Sequence, residues 1–287
     1  MISNLTNLAA RRDLLRELVV SELRASTAET KLGLLWWFLD PLLMMLIYWA
    51  IVVGILGRGA AIYDPYPIFI LGALITWKHF AGAATRATRI LSNREALIKS
   101  VPFPTMVLPL SVVLSGFLSF IFGFVVLLLA SRLLPSPHFS GDYLPLVQIP
   151  PLMALQVVVV AGFALGLSCL GVLLRDLGGL TVHMLRIGFY LSPGLYGIDM
   201  VESALKAKLG AAISGVGWLP ASLPAIAFSI YMLNPFAILI TGYRDAIFYG
   251  TFLEPAYWLT LLIEAALVFI IGYKIFQHYD RRVIKFL

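Results

Sequence analysis

Positive charge in this chain is confined to short stretches separated by long apolar runs, and that arrangement leaves few folds open to it. Arg and Lys crowd the first 31 residues, the stretch from Arg86 to Lys99, and the residues from Lys274 to Lys285. The segments between are nearly uncharged and long enough to cross a bilayer, which takes about 20 apolar residues in a helix. Basic residues collect at the cytoplasmic ends of spans. The pattern therefore predicts a multi-pass protein of the bacterial inner membrane with N- and C-termini in the cytoplasm. Hydrophobic residues make up 60% of the chain and charged residues 13%, a balance that argues against a water-soluble globule. The net charge of +6 implies no nucleic acid partner, because orientation and the anionic cytoplasmic leaflet already account for it.

The apolar runs predict an all-α membrane protein with six transmembrane helices. Residues 1–31 alternate charge with Leu14, Leu15, Leu18, Val19 and Leu23 at helical spacing. They read as a cytoplasmic amphipathic interface helix, too polar to span and with no cleavable leader expected. Spans are expected at about 32–56, 66–90, 106–130, 146–174, 180–196 and 256–276. Residues 92–104 form a polar cytoplasmic connection with a short helical piece from Arg94 to Lys99, stopped by Pro102 and Pro104. Ala211 to Leu233 is apolar enough to cross, yet Gly215, Gly217, Pro220 and Pro224 interrupt it. A crossing there would also carry Lys274, Arg281, Arg282 and Lys285 to the wrong face. Residues 199–250 are therefore expected to hold a re-entrant or outer-surface helical pair before the last span.

Several strings occur in a telling order. Arg12-Asp13-Leu14-Leu15 precedes Leu32-Gly33-Leu34-Leu35-Trp36 and Pro41-Leu42-Leu43. Leu97-Ile98-Lys99-Ser100-Val101-Pro102-Phe103-Pro104 leads into Leu108-Pro109-Leu110-Ser111, and Arg175-Asp176-Leu177 follows the fourth span. Leu191-Ser192-Pro193 with Tyr196, then Asn234-Pro235-Phe236, Tyr243-Arg244-Asp245 and Tyr249-Gly250, complete the series. In this order the strings resemble the permease subunits of ABC exporters for O-antigen and teichoic-acid polysaccharides, over nearly the whole chain. Two features depart from the family: Asp40 stands before Pro41 where Asn is more frequent, and Asp199 to Leu219 is longer than usual. The resemblance implies a single permease domain over residues 32–287, a homodimer of this chain, and two copies of a cytoplasmic ABC ATPase. It also implies a lipid-linked glycan as substrate, with ATP and Mg held by the ATPase and no cofactor on this chain. The sequence carries no Gly-x-x-x-x-Gly-Lys-Ser/Thr phosphate loop, so that route to ATP hydrolysis is closed to it.

Candidate site residues gather in the second span. Lys78, Gly82, Arg86 and Arg89 lie at offsets of four, eight and eleven, along one helical face. A charge inside a span costs about 2.5–3.5 kcal/mol near its centre, so such residues face protein or water. The stripe suits a path for a lipid pyrophosphate or another anionic head group. The plainer account puts Arg86 and Arg89 in the head-group zone and pairs Lys78 with a carboxylate. Trp36, Trp77 and Phe80 are candidate platforms for sugar rings, against ordinary packing and interface anchoring. Glu264 is an intramembrane acid at a depth similar to that of Lys78, which raises a Lys78–Glu264 pair. Asn93, Arg94, Glu95, Leu97, Ile98 and Lys99 are candidates for contact with the ATPase, as is the basic N-terminal helix, for which membrane anchoring competes. His79, His138, His183 and His278 lack metal-ligand spacing, and Cys169, the single cysteine, reads as a small buried apolar residue. Alternatives are an ABC permease for a drug or lipid, a membrane-embedded glycosyl- or phosphotransferase, whose acidic cluster the loops lack, and a secondary transporter, which favours paired halves.

Overall fold

A computed structural model of the chain describes residues 12–27, 31–55, 57, 63–100, 103–174, 176–216, 220 and 222–286. Val101, Pro102, Arg175, Gly217 and Leu219, named above, lie outside these residues. Among the described residues the chain is all helix, and it is a multi-pass membrane protein: five helices are long and apolar enough to cross a bilayer, or six if one bent pair is a single span. In order they are α1 (Arg12–Thr27), α2 (Trp36–Trp49, continued by a wider π turn, Ala50–Ile55), α3 (Tyr66–Asn93), α4 (Glu95–Ser100) and α5 (Val107–Leu133). Then come α6 (Ile149–Leu173, entered through a 3-10 turn, Leu144–Gln148), α7 (Leu177–Leu191), α8 (Ile198–Val216), α9 (Leu223–Tyr231), α10 (Pro235–Arg244, with a π turn Asp245–Tyr249) and α11 (Pro255–Phe286).

Glycines decide how closely these helices pack. In a bilayer helix association rests on van der Waals fit, so small residues that let backbones meet are favoured at the contacts. A Cβ at Gly272 of α11 would sit 1.9 Å from the carbonyl oxygen of Gly162 in α6, and one at Gly171 would sit 1.9 Å from that of Thr88 in α3. Central helix α3 thus lies parallel to α6, through Phe80–Phe163 and Thr88–Gly171, while α6 lies parallel to α11. Helix α5 runs antiparallel to α3, setting Gly123 against Ile75 and Gly116 against His79 and Arg86. Thr105, just before α5, donates a hydrogen bond to Asp280 near the end of α11, and Arg94 pairs with Glu22 of α1. The start of the described chain, α4 and the end of α11 therefore share one end of the bundle.

Two expected elements take a different form. The fifth span, expected at 180–196, is helical only over α7, 15 residues, because Pro193 and Gly194 end the helix before Tyr196. It runs antiparallel to α3, with Gly178 against Arg89 and Gly188 against Trp77. A turn and bends over residues 192–196 then carry the chain on, and the Tyr66 hydroxyl donates to the Leu195 carbonyl. The segment expected to break at Gly215 does not: α8 runs through it to Val216. The sharp break falls later, where α9 and α10 meet at 84° around Met232–Asn234. Asn234 caps α10 by accepting from the Phe236 N–H, and its amide donates to Ser192. From that bend α10 runs through the core, with Phe236 against Phe80 and Tyr243 against Gln156, as far as buried Gly250, whose carbonyl accepts from the Ser140 hydroxyl.

A buried polar relay fixes α10 in place. The Tyr243 hydroxyl donates to the Gln156 carbonyl, and the Gln156 amide lies 2.9 Å from His79 Nδ1. His79 Nε2 sits 3.2 Å from the Val113 carbonyl, so the neutral tautomer with hydrogen on Nε2 satisfies every member.

Candidate functional site

Helix α3 presents its charged face to two clefts that meet at Lys78. One cleft, of about 410 Å³, lies between α2, α3 and α7 and is lined by Tyr48, Trp77, Lys78, Arg186, Phe189 and Tyr190, among others. The second, of about 290 Å³, lies between α2, α3 and α5 and is lined by Trp37, Lys78, Gly82, Arg86, Gly116 and Ser119 in particular. Pro41 of α2 and Ile75 and Ala81 of α3 border both, so α2 lies across α3 as a bar between them. Pro41 is also the one buried residue of α2, which makes that helix the least embedded of the long spans among the described residues.

The bar is held by charge. Lys78 forms an ion pair with Asp40, one residue before Pro41, and both side chains keep partial exposure, 55% and 31%. The Lys78–Glu264 pair drawn from similar depth does not form. Glu264 projects from α11, which packs on α6, whereas Lys78 faces α2 on the other side of α3. Both Glu264 carboxyl oxygens are buried without a hydrogen-bond partner among the described residues. Asp40, on the neighbouring helix α2, is thus what balances Lys78.

The aromatic candidates separate as well. Trp77 is half-buried on the wall of the larger cleft, its ring 5.9 Å from that of Phe189. Phe80 is not on the wall: it is buried, stacked on Phe236 at 4.2 Å and tilted on Phe163 at 5.0 Å. It supports the start of α10, just past the bend from α9. Trp36 is exposed near the α4 end, and among the described residues it makes no ring contact with Trp77 or Phe80. The basic stripe also divides. Arg86 turns toward α5 beside Gly116, and Arg89 turns toward α7, against Gly178.

Two arginines that the sequence reading passed over join the site. Arg186 of α7 lies two residues before Gly188, which touches Trp77. It therefore reaches the level of Lys78 across the larger cleft. Among the described residues it has no hydrogen-bond or ion-pair partner, so α7 carries an unpaired cation into an aromatic-walled cleft. The rule that flagged Lys78 and Glu264, that charge inside a span has a purpose, applies equally to Arg186. Arg244 is fully enclosed. Its guanidinium donates to the carbonyls of Phe69, Pro193, Gly194 and Tyr196, and lies 3.6 Å over the Phe69 ring. It thereby satisfies the backbone that Pro193 and Gly194 leave open after α7.

At the end of the bundle away from α4, Tyr63 bridges to the start of α8. Its hydroxyl donates to Asp199, 2.9 Å from Oδ1, and accepts from the Gly197 N–H at 3.1 Å. Burial, aided by the Asp199 charge, pushes the Tyr63 phenol well above its ordinary pKa. At the opposite end Asn93 closes α3, Arg94 makes a one-residue elbow, and Glu95 to Ser100 form α4. Leu97 and Ile98 lie half-buried against the bundle, while Lys99 reaches back to Glu95 at 2.5 Å. The six residues expected to act together here thus fall on the last residue of α3, the elbow and α4. Among the described residues, no three His, Cys, Asp or Glu side chains are placed to hold a metal.

No family model matches the chain. It is 27% identical over 271 residues to the O-antigen export system permease protein RfbA of Myxococcus xanthus, an alignment covering 93% of this chain and 92% of the relative. It is 28% identical over 284 residues to a protein of the same name from Klebsiella pneumoniae, covering 98% and 97%. The chain is similar to O-antigen export permeases from end to end. The resemblance read from the ordered strings is borne out, over nearly the whole chain.

Proposed function

We propose that this chain is the transmembrane subunit of an ATP-driven ABC exporter that moves lipid-linked O-antigen or a similar cell-surface polysaccharide across the bacterial inner membrane. The near full-length similarity to O-antigen export permeases carries this reading. Two copies of the chain turn their α2–α3–α7 faces toward each other and enclose a conduit, and two ATPase subunits dock on α4 from the cytoplasm. The larger cleft supports that placement. Trp77, Phe189, Tyr48 and Tyr190 offer flat faces that tolerate many sugars, and Lys78 with Arg186 offers cations to an anionic head group. An unpaired Arg186 facing lipid tails would be costly, whereas a hydrated conduit accommodates it.

The test is export in cells that make the glycan and supply the cognate ATPase. Cells with this chain should display the polymer at the surface. Cells lacking it, or carrying Trp77→Ala with Arg186→Ala, should accumulate polymer inside. Full surface display without the chain, or unimpaired display by the double variant at normal membrane abundance, contradicts the assignment.

A further inference from the structure

We propose that Glu22 and Arg94 clasp the N-terminal helix to the coupling elbow, so that a push on α4 moves α1 and, through it, α5. This rests on the reading of α4 as the ATPase contact, but the clasp itself is a structural statement. Arg94 is the single residue between α3 and α4. Its N–H donates to the Ile90 carbonyl of α3, while its own carbonyl accepts from the Ile98 N–H of α4, so its backbone belongs to both helices. Among the described residues α4 has no fully buried residue to hold it, and a one-residue elbow alone would let it swing.

The Arg94 side chain removes that freedom. Nη2 lies 2.9 Å from Glu22 Oε1, and the two side chains are 33% and 14% exposed. The pair is more enclosed than Lys99–Glu95 on α4, at 52% and 45%, and solvent screens it less. Glu22 is also within electrostatic reach of Arg86, which faces α5 beside Gly116. Helix α1 in turn buries Leu18 and Val19, and shares an apolar groove with Leu114, Phe117 and Leu118 of α5. The links run without a gap from α4 through Arg94 and Glu22 to α1, and from α1 to α5, which walls the second cleft. The N-terminal helix is in this account a positioning element of the transport cycle as well as a membrane anchor.

Two readouts test it on the full chain. Glu22→Gln and Arg94→Gln, each at normal membrane abundance, should raise amide hydrogen exchange in both residues 12–27 and 95–100. The charge-reversed double variant Glu22→Arg/Arg94→Glu should return both segments toward wild-type protection. In the complex with its ATPase, each single variant should lower glycan exported per ATP hydrolysed by roughly three- to tenfold, with recovery in the reversed pair. Unchanged exchange in the single variants, or additive losses in the double, overturns the clasp. Restored protection in the double, from a wild-type chain that exports nothing with an ATPase bound, would instead overturn the export reading and leave the clasp standing.

Discussion

Asp40→Asn is the most informative single change in this protein. It removes the charge that balances Lys78 while keeping the side chain's volume at the point where α2 crosses α3. A lone ammonium near the centre of a span costs about 2.5–3.5 kcal/mol on insertion scales. Both partners keep partial exposure, 55% and 31%, so hydration through the clefts offsets part of that, and a net loss of about 1–2 kcal/mol in the hold of α2 on α3 is expected. Such a loss shifts the open-to-closed ratio of the bar by about 5- to 30-fold. Ile75 is buried and borders both clefts beneath Pro41, which makes it the natural reporter. Cys169 is the chain's single cysteine, so it is replaced by Ser and Ile75→Cys is introduced, leaving one thiol to label with a water-soluble maleimide. Labelling should speed up by that factor in the Asp40→Asn background and fall back when Lys78→Met is added, because removing both charges leaves nothing uncompensated. Equal labelling with and without Asp40→Asn, or faster labelling still in the doubly neutral variant, refutes the latch.

Gly272→Ala places a methyl against the Gly162 carbonyl in the parallel α6–α11 contact. It should lower the melting temperature in detergent through about 1–3 kcal/mol of overpacking; an unchanged melt would mean the helices sit further apart than described. Arg244→Lys should not substitute for Arg244, since one ammonium cannot reach four carbonyls at the geometry of the fork, and limited proteolysis should then cut residues 192–197 faster than in wild type. The Tyr63–Asp199 tie needs a protonated phenol, whose folded pKa is raised. Its contribution is full below the ordinary tyrosine pKa near 10 and is lost as pH rises beyond that. A pH-dependent rise in exchange at the start of α8 that disappears in Tyr63→Phe checks this, and a rise at neutral pH speaks against it.

Much of this architecture was legible because hydropathy and charge act one helix at a time. The amphipathic spacing of Leu14, Leu15, Leu18 and Val19 announces α1, and those side chains do face the bundle. Parity of the basic clusters argued against a plain crossing at 211–233, and the chain is bent there by 84°, at Met232–Asn234. What one sequence could not supply was which face meets which. Depth suggested Glu264 for Lys78, but two residues at one depth can face opposite sides of a bundle, and Asp40 on the adjacent helix took the partner's place. Trp77 and Phe80 are three residues apart on one helix, yet the returning α10 covers Phe80 and leaves Trp77 on the cleft wall. Arg186 and Arg244 carried a usable signal, a charge amid apolar residues.

The central claim, that the α2–α3–α7 cleft is the route of the glycan, is tested most directly by capture in transit. A photo-crosslinking residue is placed at Phe189 on the cleft wall, or at Leu262 on the exposed far face of α11, in cells actively exporting the polymer. The account predicts a ladder of glycan-bearing adducts from position 189, dependent on ATP hydrolysis by the partner, and none from position 262. Adducts from position 262 with none from position 189 would place the polymer elsewhere and contradict it.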